Sequence, residues 1–380
     1  MSNPFTYDEP VDGSEFTDRE DDLDTLLSVI RNGRNAILMS PRRYGKSSLL
    51  AEARRRAERD GVRVGVADLM GCGSEELIAQ QLAAAVSRGP ARGLQAVVQG
   101  LADRIGRLRA GVSVTVEPTG SMRLGVAPTI DGGPRWSEVI EEVLRSLAEA
   151  ARHHRVCLMV DEFQKTAEVE PEMPGIFKRM SDDGELKGVS LVLAGSKYHV
   201  MEAIVATHLQ RVGTEMGLQP IPESIMVPFL QDRARSSGKG FAEGAGPLVY
   251  RVAEGIPSDV QHLAFWAFEA ATGKAIGEDE VRAGLERILR HGAAVWDQQQ
   301  DALAGGQRAV MFALARGPEA SEYGEDFKRR VGKGGNNQIK TALEALQERE
   351  YIERLHGAWR ISSPFRRIWL ARIKGYPDPV

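Results

Sequence analysis

Short apolar runs alternate with amphipathic stretches along the first half of the chain. The runs at 36–39, 155–160 and 189–194 are typical of strands buried on both faces of a sheet, and 61–68 alternates in the manner of a further strand. Helical periodicity occurs at 18–27, 74–88 and 136–153. A chain in which strands and helices alternate in this way is expected to form an α/β fold, with a parallel sheet as the middle of three layers.

Two short β-type segments interrupt this alternation. Residues 112–116 and 122–126 alternate apolar and polar side chains on either side of a turn-like sequence at 117–121. They predict a β-hairpin that is inserted in the sheet domain and projects from its core. The alternative is an irregular surface loop.

Helical periodicity dominates after residue 220. The predicted helices are 222–235, 246–254, 258–271 and 278–288. Ser258 is the expected N-cap of the third of them. We therefore expect a core domain at 1–220, followed by a helical lid domain at 221–300.

The C-terminal part predicts a third domain, at 301–380. Its expected helices are 308–315, 325–331 and 337–348, and its expected strands are 351–355 and 358–361. The two strands flank a hairpin turn at His356-Gly357. Three helices followed by a hairpin form a winged helix, in which the third helix can enter the major groove of DNA.

The clearest chemistry lies between the first predicted strand and a predicted helix. Gly45, Lys46 and Ser47 form the end of a phosphate-binding loop, because glycine lets backbone N–H groups surround a phosphate and lysine brings a positive charge to it. The hydroxyl of Ser47 suits Mg²⁺. The expected nucleotide-binding residues of this loop are Ser40, Pro41, Arg42, Arg43, Tyr44, Gly45, Lys46, Ser47 and Ser48. The alternative is a chance Gly-Lys-Ser in a surface loop.

One position of the loop departs from the usual pattern. Phosphate-binding loops begin with glycine, and Ser40 stands in that place. Serine lacks the freedom of glycine at positive φ. We therefore expect an altered mouth of the loop.

Two acidic residues follow the apolar run at 155–160. A buried parallel strand that ends in Asp161 and Glu162 delivers both carboxylates to one end of the sheet. Asp161 is expected to hold Mg²⁺ through water, and Glu162 to orient and deprotonate an attacking water. Taken alone, the same residues also fit an ordinary acidic turn.

The third apolar run, at 189–194, leads to Ser196. In many P-loop ATPases a polar residue at this place senses the terminal phosphate, and Ser196 is the candidate for that role. An equally good interpretation is that the serine caps a helix beginning near Tyr198. The two roles are compatible.

Composition limits the class of protein. The chain has 380 residues, 42% of them hydrophobic and 27% charged, which is typical of globular proteins with more than one domain. It contains no apolar stretch of membrane-spanning length, and residues 1–24 are acidic rather than signal-like. Its two cysteines, Cys72 and Cys157, are expected to be buried free thiols, with a disulfide as the alternative. These features predict a cytoplasmic protein without a membrane partner.

The motifs together resemble a known family. Asn3-Pro4-Phe5, Phe16-Thr17-Asp18-Arg19-Glu20, Pro41-Arg42-Arg43-Tyr44-Gly45-Lys46-Ser47, Val160-Asp161-Glu162 and Ala194-Gly195-Ser196 are similar to segments of archaeal-type ATPases of the STAND division, relatives of AAA+ and origin-recognition ATPases. Members often lack the first glycine of the loop. The resemblance covers about residues 3–290 and reaches into the C-terminal end.

The resemblance carries further expectations. It implies that the N-terminal stretch from Asn3 to Arg19, which includes Phe5, packs around adenine. It also implies that Pro257, in the turn Gly255-Ile256-Pro257, approaches the nucleotide. Proteins with this nucleotide architecture commonly build the active site at a subunit boundary, which implies a homo-oligomer. Relatives usually carry Tyr-Gly-Arg after the sensor segment, where this chain has Arg211-Val212-Gly213-Thr214. The arginine of that motif is therefore out of register here, and we expect neither a trans-acting arginine finger nor efficient turnover.

The charge of the chain is unevenly distributed. Residues 307–380 carry an excess of +5, whereas the whole chain carries −4. This asymmetry favours a polyanion as partner of the C-terminal domain, and duplex DNA is the expected one. The candidate phosphate contacts are Lys328, Arg329, Arg330, Lys333 and Lys340. The alternative is that the domain packs against a protein partner, since winged helices often do so in this family.

Two functions fit these features. The first is an ATP-binding switch that hydrolyses ATP slowly with Mg²⁺, using Lys46, Glu162 and Ser196 as catalytic groups. The second is a non-catalytic nucleotide-binding regulator or adaptor. A GTPase is disfavoured because the chain lacks an Asn-Lys-x-Asp sequence.

Overall fold

The computed structural model describes residues 2–7, 19–107, 112–116, 122–126, 135–332, 335–355 and 357–377. The chain divides into two compact units. The sheet unit is Pro10–Gln219, and the helical unit combines Met1–Glu9 with Pro220–Val380. Within the described ranges, no helix has both the length and the apolar character needed to cross a bilayer.

A five-stranded parallel sheet forms the middle of the sheet unit. Its strands are β1 (Ala36–Met39), β2 (Arg63–Asp68), β5 (Val156–Asp161), β6 (Val189–Gly195) and β7 (Thr214–Gly217). They lie in the order β2-β5-β6-β1-β7, and every pairing is parallel. The predicted α/β fold with a parallel sheet is confirmed. The edge strand β7 has only one buried residue and no apolar run, so the sequence pattern did not indicate it.

Helices cover the sheet. They are α1 (Glu20–Arg31), α2 (Lys46–Arg59), α3 (Glu75–Arg88), α4 (Gln95–Arg107), α5 (Trp136–Ala151), α6 (Lys165–Val169), α7 (Met173–Asp182) and α8 (Tyr198–Thr207). The strand residues Ile37, Leu158 and Leu191 are completely buried and share one apolar core with α3, α5 and α7. Ser74 caps α3, as predicted, by accepting a hydrogen bond from the backbone N–H of Leu77.

The predicted hairpin is present but does not project from the core. Strands β3 (Val112–Val116) and β4 (Met122–Val126) pair in antiparallel fashion. Met122 and Leu124 are buried in the apolar core that also contains residues of α3 and α4, and the backbone N–H of Met122 donates to Ser87 Oγ at 3.2 Å. The expectation of a projecting insertion is wrong because the apolar face of β4 is needed to complete this part of the core.

The first part of the helical unit contains α9 (Glu223–Ser236), β8 (Gly240–Phe241), α10 (Ala245–Val252), α11 (Pro257–Ala270), β9 (Ala275–Ile276) and α12 (Glu278–Asp301). Strands β8 and β9 pair in parallel. Ser258 is not an N-cap, because α11 begins one residue earlier at Pro257. The Ser258 hydroxyl instead donates to the carbonyl of Tyr7, one of several bonds that attach the N-terminal segment to this unit.

The remaining elements are α13 (Gly305–Leu314), α14 (Glu325–Val331), α15 (Asn336–Glu348), β10 (Ile352–Leu355), β11 (Ala358–Ile361) and α16 (Pro364–Ile373). Strands β10 and β11 form the expected antiparallel hairpin, and Glu319 adds an isolated bridge to Trp359. The three helices α13, α14 and α15 share a core with this hairpin. We call 305–377 the C-terminal module.

Candidate functional site

The loop between β1 and α2 has the backbone shape that the sequence predicts. All four residues of β1 are buried, and α2 begins at Lys46. Arg43 and Gly45 adopt left-handed conformations, with φ of 71° and 87°. Glycine adopts this conformation without steric cost, which explains its place at position 45.

Ser40, at the start of the loop where glycine is usual, does not need the conformational freedom of glycine. Ser40 is completely buried and is not among the described residues with positive φ. Its backbone N–H donates to the carbonyl of Gly195 at 3.2 Å, which continues the β1–β6 ladder into the loop. The expected alteration caused by a missing glycine is wrong, because the left-handed residues of the loop lie at positions 43 and 45.

The N-terminus of α2 suits an anion. The first N–H groups of any α-helix have no partner within the helix and carry partial positive charge. Helices α1 and α3 place acidic residues in their first turn, whereas the first turn of α2 contains none and begins with Lys46. The positive charge and the backbone N–H groups at this helix N-terminus suit the binding of a phosphate group.

The β5 strand delivers its carboxylates to the same place. Lys46 forms ion pairs with Asp161 and with Glu162, the latter at 3.2 Å from Nζ to Oε1. All three side chains are largely buried. Glu162 has a left-handed backbone, with φ of 54°, and its N–H donates to Asp161 Oδ1 at 2.8 Å. This turn directs both carboxylates toward the phosphate loop.

Ser196 joins this group from β6. Its hydroxyl donates to Glu162 Oε2 at 2.7 Å. Helix α8 begins at Tyr198 without a side-chain cap, so capping does not explain the serine. Lys46, Glu162 and Ser196 thus stand at the carboxyl ends of β1, β5 and β6, three neighbouring strands of the sheet.

The environment affects the two carboxyl groups differently. Burial opposes ionisation of Glu162, but the charge of Lys46 and hydrogen bonds from Ser196 and Gln164 outweigh it and lower the pKa of Glu162. Burial raises the pKa of Asp161 despite its ion pair with Lys46. Glu162 is therefore ionised at neutral pH.

The side chain of Arg19 donates hydrogen bonds to the backbone of the phosphate loop. The guanidinium group is buried and donates to the carbonyls of Tyr44 and Gln219, each at 2.7 Å, and it pairs with Asp22 at 3.1 Å. Tyr44 is itself 1% exposed. Arg19 therefore ties the phosphate loop to the residues that follow β7.

The other predicted site residues are distributed as follows. Pro41 is buried, Arg43 and Ser48 are half-buried, and Arg42 and Ser47 are exposed. Two members of the predicted set belong to the helical unit. Phe5 is buried there with edge-to-face contacts to Phe241 and Phe268, and Pro257 occupies the first turn of α11.

Most candidate DNA contacts have acidic neighbours. Lys328 pairs with Glu325 at 3.3 Å, Arg329 with Asp326 at 3.7 Å, and Lys340 with Glu344 at 3.7 Å. Arg330 pairs with Glu319 and with Asp326. Lys333 lies outside the described residues.

Sequence reasoning missed Gln164. Its side chain is 1% exposed, and Nε2 donates to Glu162 Oε2, the same oxygen that Ser196 contacts. A glutamine two residues after a carboxylate is a weak signal in sequence. The contact depends on the left-handed turn at Glu162, which the sequence does not reveal.

No protein-family model and no curated protein matches the chain. Solved structures do resemble it. The Walker-type ATPase of Pyrococcus abyssi is 15% identical, with 97% of this chain and 99% of that chain covered and a TM-score of 0.64. The ORC2 protein of Aeropyrum pernix in its ADP form is 13% identical, with 97% of each chain covered and a TM-score of 0.51. The chain therefore has the three-layer α/β fold on which these proteins are built.

Proposed function

We propose that this chain binds ATP and hydrolyses it slowly, as a nucleotide-dependent switch in the cytoplasm. The observation that carries the proposal is the convergence of Lys46, Glu162 and Ser196 from the ends of three adjacent strands. A cation, a carboxylate and a hydroxyl beside a helix N-terminus are the groups that phosphoryl transfer to water requires. Two of the solved structures that resemble the chain, a Walker-type ATPase and an ORC2 protein in its ADP form, support the proposal.

The phosphate loop would hold the triphosphate. Backbone N–H groups at the start of α2 and the ammonium group of Lys46 would contact its outer oxygens. Ser47 and Asp161 would hold Mg²⁺, which neutralises charge on the phosphate oxygens when bound. Mg²⁺ is usually held by one or two carboxylates together with substrate phosphates. Asp161, whose carboxylate lies beside Lys46, supplies one such ligand.

Glu162 would act on the water. When Lys46 turns from the carboxylates to the phosphate, Oε1 of Glu162 becomes available to accept a proton. The water oxygen forms a bond to the terminal phosphorus while the bond from that phosphorus to the bridging oxygen breaks. Inorganic phosphate and ADP are the products. Ser196 would keep the other carboxylate oxygen in place.

The switch is proposed on the resemblance to STAND ATPases and on contacts within the helical unit. Glu254 directly precedes the turn Gly255-Ile256-Pro257 and has ion pairs with Arg360 at 3.5 Å and Arg367 at 2.6 Å. These pairs connect the turn to β11 and α16 of the C-terminal module. A conformational change at the turn would therefore be transmitted through these ion pairs to the C-terminal module. We propose that this module is a winged helix.

Duplex DNA is the proposed ligand of this module, on the strength of its excess positive charge. The second candidate, an adaptor that contacts protein, is favoured by the acidic partners of Lys328, Arg330 and Lys340. Self-assembly is proposed on the resemblance alone. Binding of labelled duplex at two salt concentrations, with and without ATP, separates the two candidates, because phosphate contacts weaken steeply with salt.

The proposed ATP hydrolysis is tested by measuring phosphate release in the presence of Mg²⁺ and ATP. Lys46→Ala is expected to abolish both ATP binding and phosphate release. Lys178→Ala is the matched control, since this lysine forms a surface ion pair with Asp182 at 2.8 Å and should leave both unchanged. Wild-type protein that binds ATP but releases no phosphate, with or without DNA, would leave only the non-catalytic regulator.

A further inference from the structure

Gln164 lies directly after the turn that carries Glu162. Its side-chain amide lies beside Gly195 at the end of β6. The backbone N–H of Phe163 donates to the carbonyl of Ala194 at 2.8 Å and attaches this turn to the same strand. Within the described residues, Gln164 Oε1 is buried and has no hydrogen-bond partner, whereas Nε2 donates to Glu162 Oε2. Rotating the amide by half a turn would direct Oε1 at a carboxylate. In the observed orientation the amide keeps the hydrogen bond to Glu162, and its own oxygen is left without a partner.

Gly195 provides the space that this arrangement needs. A Cβ atom at position 195 would lie 2.6 Å from Gln164 Oε1 and 2.4 Å from Met201 Cγ. A glycine inside a buried strand is otherwise unfavourable, and it commonly marks a close approach by another group. The end of β6 is thus shaped around the amide of Gln164.

The two donors on Glu162 act on one oxygen. Ser196 Oγ and Gln164 Nε2 both contact Oε2, whereas Lys46 contacts Oε1. A carboxylate held by two donors on one oxygen cannot rotate without losing both bonds. The other oxygen is then fixed in direction.

We propose that Gln164 is a positioning residue for ATP hydrolysis, which together with Ser196 holds Oε2 of Glu162 so that Oε1 faces the attacking water. The inference rests on the proposed function, because it assigns a role within the same site. Gln164 acts through Glu162 and does not touch the nucleotide. Its loss should therefore lower kcat and leave KM for ATP unchanged.

Gln164→Met separates positioning from packing. Methionine fills nearly the same volume against Gly195 and Met201, but it has no N–H to donate. We expect Gln164→Met to keep the melting temperature of wild type and to lower kcat about tenfold or more, since small misplacements of a catalytic group can cost up to about a hundredfold. Gln164→Ala should lower kcat similarly. Gln80→Ala is the matched control, because Gln80 is a half-buried glutamine that donates to Glu76 and to the carbonyl of Leu124.

The measurements are kcat and KM for ATP, the dissociation constant of a fluorescent ATP analogue, and the melting temperature. Wild-type kcat in Gln164→Met would overturn the positioning role and leave the ATPase proposal intact. A raised KM or weakened analogue binding would show that Gln164 serves nucleotide binding instead. Absence of phosphate release by wild-type protein would overturn the ATPase proposal and, with it, this role.

Discussion

The hydroxyl of Ser196 donates to Oε2 of Glu162 at 2.7 Å, across the ends of β6 and β5. Through this bond Ser196 is expected to affect the rate of ATP hydrolysis. Ser196→Ala should lower kcat for ATP hydrolysis by about ten- to a hundredfold, because Glu162 loses one of the two donors on this oxygen, while nucleotide affinity stays the same.

Ser190→Ala is the control for that substitution. Ser190 lies on the same strand, is completely buried, and donates to the carbonyl of Arg34. Its removal should lower stability without a selective effect on kcat. Equal losses of kcat in the two variants would show that Ser196 acts only through the stability of β6.

Cys157 should be chemically inert in the folded protein. Burial raises its pKa to about 12, with a smaller opposing effect from a hydrogen bond with Ser190. The ratio of thiolate to thiol is therefore reduced about a thousandfold relative to an ordinary cysteine. In a Cys72→Ala variant, a thiol reagent at pH 8 should modify Cys157 only after denaturant is added. Rapid modification of the native protein would contradict this.

The same shift predicts how stability depends on pH. Above about pH 9 the Cys157 thiol ionises in the unfolded chain but stays protonated in the folded one, so the unfolded state is favoured as pH rises. Its contribution should lower the free energy of unfolding by about 1.4 kcal/mol per pH unit, up to a pH near the folded pKa. Denaturant titrations of wild type and Cys157→Ala between pH 8 and about 10 measure this contribution as the difference in slope. Parallel slopes would refute it.

Gly89, which directly follows α3, packs closely against the backbone of β2. A Cβ atom there would lie 2.3 Å from the carbonyl oxygen of Val64 and 2.6 Å from Cα of Gly65. Because both neighbours are backbone, Gly89→Ala should destabilise the sheet unit by about 2–3 kcal/mol in a urea titration. Gly73→Ala is the matched control, since a Cβ there meets nothing within 4 Å. Equal stability of the two variants would exclude the steric constraint.

The basic residues of the C-terminal module should separate into two groups. Lys340 and Arg329 are well exposed, so alanine at either position should weaken DNA binding and reduce the slope of log affinity against log salt by about 0.9. Arg330 is 16% exposed and holds Glu319 and the carbonyl of Ala313, so Arg330→Ala should mainly lower the melting temperature. The prediction would be contradicted if, of these three substitutions, only Arg330→Ala weakened DNA binding and the melting temperature stayed unchanged.

The sequence pattern predicted the parts of the fold that rest on buried apolar runs. Strands β1, β5 and β6 consist almost entirely of buried residues, and their order along the chain fixed the alternation with helices. Helix α12 was expected to end at residue 288 but continues to Asp301. Its second half is largely exposed, and a helix without an apolar face leaves no periodic signal. Helix α4 was missed altogether.

The site was predictable to a similar extent. Gly45, Lys46 and Glu162 belong to short motifs whose chemistry is readable from residue type and spacing. The contacts of Arg19 with the carbonyls of Tyr44 and Gln219 join residues far apart in sequence, and nothing local indicates them. Gln164 escaped notice for the same reason, since its contact depends on a backbone turn.

Single-turnover hydrolysis by Glu162→Gln tests the proposed ATPase most directly. Glutamine keeps the size of the side chain but cannot accept a proton from water. With enzyme in excess over ATP, we expect the variant to bind the nucleotide as wild type does and to release phosphate at least about a hundredfold more slowly. Phosphate release at the wild-type rate, with binding intact, would contradict the assignment of Glu162 as the base.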